Sequence, residues 1–134
     1  MRISLNASSL LGTNDVGALK DHAAQSAEEG FAGWWLAQTG LIDALTVFTS
    51  IGGSLPSLEL GTAVIPTYPR HPSMLAGQAL TTQAVMGDQS LVLGIGLSHQ
   101  PVVEGMPTNY GGELIPPHLR GLIFVIPSVG DEEE

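Results

Sequence analysis

Hydrophobic positions along this chain fall into short runs that alternate between two spacings. Arg2 to Ala7 alternates apolar and polar residues, the period of a strand. Ser8 to Thr13 reads as a turn, and Asn14 or Thr13 as the cap of a helix reaching about Glu29. Val16, Leu19, Ala23 and Ala27 share one face of that helix. Gly30 then suits the position after a helix end, where a left-handed backbone is easiest without a Cβ. Phe31 to Ala37 is aromatic-rich and strand-like, with Trp34 and Trp35 on opposite faces. Gln38 to Leu41 leads into a second helix capped by Asp43 and ended by Gly52 and Gly53.

Leu58 to Val64 predicts a third strand, Ile65 to His71 a loop, and Pro72 the first turn of a third helix that Gly87 closes. Leu91 to Gly96 is a fourth strand, apolar on both faces, as expected where helices cover both sides. The strands recur roughly every 30 residues, the spacing of an eight-stranded (β/α) barrel of about 250 residues. Four such units make about half of one. The alternation also suits a doubly wound open sheet, and periodicity does not separate the two.

After Met106 the pattern breaks. Pro107, Gly111, Gly112, Pro116 and Pro117 interrupt any helical period. Gly121 to Ile126 predicts one more strand, and Asp131 to Glu134 form an acidic end. The expected organisation is an α/β partial barrel over residues 1–106, with about four parallel strands and intervening helices, followed by a divergent Pro/Gly-rich tail over 107–134.

Composition narrows the choices. A chain of 134 residues with 43% hydrophobic and 13% charged residues has enough apolar content for one domain. The net charge is −9, but the acidic end supplies much of it, and only four Lys and Arg residues are present. That argues against a nucleic-acid or anionic-membrane partner. Without cysteine there is no disulfide, thiolate metal site or Cys nucleophile. No run reaches membrane-spanning length and the N-terminus lacks a signal-peptide core, so a soluble cytoplasmic protein is the expectation.

Candidate chemistry sits at strand ends. His99 follows the fourth strand, and histidine ordinarily titrates near neutrality. Gly94-Ile95-Gly96 begins like a nucleotide-binding loop but lacks its third glycine. Gln38 and Thr39 are uncharged hydrogen-bonding groups after the second strand, or else fill a helix turn. Arg70 and His71 precede a helix N-terminus and read either as an anion holder or, more simply, as exposed loop residues. Glu104 has no partner carboxylate, His22 and His118 stand apart, and no cluster has metal-ligand spacing.

Three segments carry a resemblance: GFAGWWLAQTG (30–40), LELGTAVIPTYPRHP (58–72) and LVLGIGLSHQPVVEGM (91–106). Together they resemble the luciferase-like superfamily, and within it the deazaflavin (coenzyme F-420)-dependent class of oxidoreductases. The resemblance implies a TIM-type barrel with coenzyme F-420 or FMN lying across the carboxyl ends of the strands and exchanging a hydride. It implies a non-proline cis peptide at Ala63–Val64 backing the ring. It further implies Gln38 and His99 facing the ring as catalytic residues, and Thr39, Leu97 and Ser98 joining Ala63 and Val64 as cofactor-binding residues. The likeness stops near residue 106, at about half of the family's barrel. The chain is therefore expected to act as an N-terminal half, paired as a homodimer or with a complementing second half-barrel chain, or to be a non-catalytic remnant.

Overall fold

The computed structural model describes residues 1–38, 42–97 and 123–126. The chain enters through β1 (Ser4–Asn6), a short 3-10 helix (Ser8–Thr13) and α1 (Val16–Glu28). Next come β2 (Gly33–Leu36), α2 (Ala44–Ile51), β3 (Glu59–Thr62) and β4 (Ile65–Pro66). Then follow α3 (Pro72–Met86), β5 (Leu91–Gly96) and β6 (Ile123–Ile126).

β1 pairs parallel with β2, β2 with β3, and both β3 and β4 pair parallel with β5. Leu60 lies opposite Leu91, yet Ile65 lies opposite Ile95, so the third strand carries one residue more than its neighbour over that span. β3 and β4 are therefore one strand broken by a bulge, and the predicted loop at 65–71 begins two residues too early. Strand order follows chain order without a reversal. α1 packs on β2, α2 on β3 and α3 on β5, while α1 touches α2 and α2 touches α3. All three helices thus line one face of the sheet. That is the layout of a barrel wall; a doubly wound sheet would carry helices on both faces. The expectation that helices flank β5 on both sides is corrected accordingly.

Sequence logic is visible in the helix ends. Asp15, rather than Thr13 or Asn14, caps α1: its carboxylate accepts from Ala18 N at 3.0 Å. The buried face of α1 is Leu19, Ala23 and Ser26; Val16 is exposed, and Ser26 takes its place by bonding its hydroxyl to the His22 carbonyl. Gly30 has φ +83, as its position after the helix end predicts. Asp43 caps α2 through Thr46 N at 2.8 Å, and His71 caps α3 with Pro72 in the first turn.

The core lies between sheet and helices. Trp34 is fully buried on the helix side, donating its indole N–H to His22 Nδ1 at 2.9 Å and meeting the Phe48 ring edge-on. Leu36, Leu45, Leu58 and Leu60 fill the rest. Trp35 points the other way. Its indole lies across Gly61, where a Cβ would come within 2.4 Å of the ring. On the barrel-side face of the sheet one flat side chain is thus laid over glycine.

β6 runs antiparallel to β5, with Gly96 opposite Ile123 and Leu93 opposite Ile126. Ile95 and Gly96 already pair with β4, so β6 must occupy the other edge of β5. It covers the predicted 121–126 strand except residues 121–122, which lie outside the described residues.

Candidate functional site

Parallel strands put all their carboxyl ends at one rim, and backbone bonds hold those ends in register. Ala63 N donates to the Leu36 carbonyl at 2.7 Å, Gln38 N to the Val64 carbonyl at 3.1 Å, and Thr67 N to the Gly96 carbonyl at 2.8 Å. The ends of β2, the bulged third strand and β5 are thereby locked side by side. The peptide bond between Ala63 and Val64 is cis, at the position the family resemblance implied.

Thr62 organises the bulge. Its buried hydroxyl donates to the Gly94 carbonyl at 2.8 Å and accepts from the Gly94 amide at 2.8 Å. One side chain so replaces ladder bonds that the extra residue displaces. The approach requires glycine at 94, because a Cβ there would fall 2.0 Å from the Thr62 carbonyl oxygen.

The rim itself is small and mostly apolar. Ala63 is exposed, and Val64, Ala37 and Leu97 are half-buried. Gln38 also sits here, but both ends of its carboxamide are engaged behind the rim. Nε2 donates to the Ile42 carbonyl at 2.8 Å and Oε1 accepts from Ala44 N at 2.9 Å. The side chain thereby shapes the turn into α2. Thr39, Ser98 and His99 lie outside the described residues, as do Glu104 and His118.

Behind the rim a polar bridge joins α2 to α3. Arg70 pairs with Asp43 and donates to Gln78 Oε1, while Gln78 Nε2 donates to Asp43 Oδ1 at 2.7 Å. Burial by itself would raise the Asp43 carboxyl, but the bond from Arg70, the hydroxyl and amide of Thr46, and the Arg70 charge outweigh it. The carboxyl is held below its ordinary range. Arg70 is therefore neither an exposed loop residue nor an anion holder, because its charge is committed to Asp43. The sequence reading took Asp43 for a cap alone and missed its second partner. No local signal ties residue 43 to 70 and 78; only the packing of two helices does.

The described rim residues Ala63, Val64 and Leu97 offer a small apolar surface, and the amides of Ala63, Gln38 and Thr67 beside it are committed to neighbouring strand carbonyls. An anionic tail finds no such welcome: the only Lys or Arg at this rim among the described residues is Arg70, already paired. Among the described residues, no three His, Asp or Glu side chains converge to hold a metal ion. No helix among them is long and apolar enough to cross a membrane.

Comparison with known proteins gives three findings. The sequence profile of the luciferase-like monooxygenase family matches residues 3–114. No curated protein is significantly similar. Among solved structures, the coenzyme F-420-dependent tetrahydromethanopterin reductase from Methanopyrus kandleri superimposes with a TM-score of 0.58 at 21% identity. The match covers 78% of this chain but 28% of that one, so this chain spans under a third of the reductase's length.

Proposed function

From the premise that the chain belongs to the luciferase-like monooxygenase family, we propose that it forms the strand-end shelf on which an oxidoreductase seats coenzyme F-420, a deazaflavin, or FMN. One observation carries this reading. β2, the bulged third strand and β5 end side by side, with small apolar residues at their tips and backbone bonds locking them together. The structural neighbour's dependence on coenzyme F-420 favours the deazaflavin.

When bound, the ring supplies hydride exchange, and the protein supplies position and electrostatics. Ala63 and Val64 back the ring, and Leu97 packs at its border. Gln38 is a positioning residue: its carboxamide fixes the start of α2 through Ile42 and Ala44. Thr39 and Ser98 offer hydrogen bonds to the ring's polar edge, and His99 exchanges the proton there.

The test is a titration of the whole chain with oxidised and reduced coenzyme F-420 and FMN. Saturable binding that Ala63→Glu weakens tenfold or more is the expected result. Absence of binding up to about 1 mM, where ΔG is near −4 kcal/mol, defeats the catalytic reading.

A second reading rests on β6. It takes, in antiparallel sense, the β5 edge on which a further parallel barrel strand would pair. On that reading the chain is a non-catalytic, self-covered half-wall. It binds neither cofactor, and it stays folded without a complementing half-barrel chain.

A further inference from the structure

A closed circuit of hydrogen bonds runs behind the strand ends, and side chains complete it. At the tip of β5 the Gly96 carbonyl accepts from Thr67 N at 2.8 Å and from Thr67 Oγ1 at 3.3 Å. The Thr67 carbonyl accepts from Arg70 N at 3.1 Å, which closes a turn over Tyr68 and Pro69. From that turn the Arg70 guanidinium reaches the Asp43 carboxylate at the start of α2. Directly before and after Asp43, the Ile42 carbonyl and the Ala44 amide are held by the Gln38 carboxamide, at 2.8 and 2.9 Å. Gln38 N then returns to the rim by donating to the Val64 carbonyl at 3.1 Å.

Two links of this circuit tie the segment before α2 to the segment before α3. One is Gln38 N on Val64, at the rim itself. The other is Asp43 on Arg70, behind it. A segment held at one point pivots about that point, and a segment held at two does not. Gln78, in the second turn of α3, braces the rear link: it donates to Asp43 Oδ1 at 2.7 Å and accepts from Arg70. The link is also shielded, with the Arg70 and Asp43 side chains only 21% and 27% exposed. Arg70 has little backbone freedom left, since its turn fixes one side and the Pro72 start of α3 the other. Its planar guanidinium forks between Asp43 and Gln78, which the point charge of a lysine would not do.

We propose that Asp43 and Arg70 are positioning residues for the strand-end seat. Their pair keeps the segments before α2 and α3 from moving apart, and so holds Val64 and Gly96 in place as parts of one surface. What that surface seats rests on the cofactor reading; what keeps it still rests on these bonds alone. Neither side chain touches the ring.

Hydrogen exchange of the whole chain, with each amide rate normalised to that of an unfolded peptide, tests this. Arg70→Met should speed exchange of the Gln38 and Thr67 amides about fivefold, the upper range for a partly exposed ion pair. Asp43→Asn keeps the α2 cap, because asparagine caps as well as aspartate, and it should give the same increase. The double variant should go no further than either single one, since both break one link. The Leu60 amide, bonded to the Ser90 carbonyl at 2.9 Å near the opposite ends of the strands, should not change. Thr49→Val is the control: it removes another polar contact between α2 and α3, Thr49 Oγ1 to Thr82 Oγ1 at 2.9 Å. It should lower the melting temperature and leave the Gln38 and Thr67 rates within about twofold of the parent. Unchanged rates in Arg70→Met overturn the proposal, as do equal effects from Thr49→Val or additive effects in the double variant. A second readout is the affinity for coenzyme F-420 and FMN, which should fall about fivefold in Arg70→Met and hold in Thr49→Val. Equal affinity in the parent and Arg70→Met overturns the positioning role and leaves the cofactor reading standing. Rates that rise as expected, in a parent that binds neither cofactor, uphold the link and defeat the cofactor reading.

Discussion

The Thr62 hydroxyl both donates to the Gly94 carbonyl and accepts from the Gly94 amide, deep enough to exclude water. Thr62→Val preserves the shape and leaves two backbone groups unpaired, which should cost about 2–3 kcal/mol, read as a lower urea midpoint with unchanged slope. Gly94→Ala attacks the same contact from the other side. Its methyl would meet the Thr62 carbonyl, and overpacking of this kind costs about 1–3 kcal/mol. If the rim seats a ring, that variant also loses affinity beyond its loss of stability. Asp43 gives a pH-dependent case. Its carboxyl titrates lower in the folded chain than in the unfolded one. The stabilisation it provides is therefore full above an ordinary aspartate value of about 4 and is lost as pH falls through its lower folded value. Asp43→Asn should flatten that part of the acid limb in pH-dependent urea melts, whereas the parent keeps it.

At the scale of elements, the local signals were readable and the long-range ones were not. Leu91–Gly96 was legible as a strand to the residue, and α3 from Pro72 to its glycine stop, because periodicity, proline and glycine act within a few positions. Asp43 was legible as a cap for the same reason. Asn14 and Thr13 were misread as the first cap because three polar residues in a row compete for one role, and only the course of the chain shows that Asp15 takes it. The bulge was unreadable as a register slip: it is a relation between residues 60–66 and 91–96, which a single strand's pattern does not encode. Arg70 was misread likewise, since its partners come from two other elements. Gln38 was expected against the ring, and its carboxamide turns out to be bonded into the turn before α2. Arg70→Met should separate α2 from α3 at the rim end. For a partly exposed pair the cost is about 1 kcal/mol or less. Faster amide exchange in the first turns of α2 and α3 should reveal it where a melting curve does not.

For the whole molecule, what matters is which parts of the wall are covered. The sheet follows chain order from β1 to β5, its helices lie on one side, and β6 closes the far edge. Removing residues 123–134 would bare the backbone groups of β5, a row of unpaired donors and acceptors that invites pairing. The shortened chain should form species larger than those of the intact chain, detectable by light scattering. If it behaves identically, β6 has no protective role. The β/α alternation itself was legible in the spacing of strands and helices, which left barrel wall and doubly wound sheet undivided. The wall's single-sidedness was not, because periodicity reports that a strand is buried without reporting by what.

Trp34 and Trp35 are neighbours in sequence and look out on opposite sides of the wall, one shut in among helices, the other resting on Gly61. The chain therefore contains two optical probes, each reporting a different side. In Trp35→Phe the remaining indole should emit at short wavelength and resist acrylamide. In Trp34→Phe the other should be quenched more readily, and its emission should shift when anything is laid against the open side of the wall.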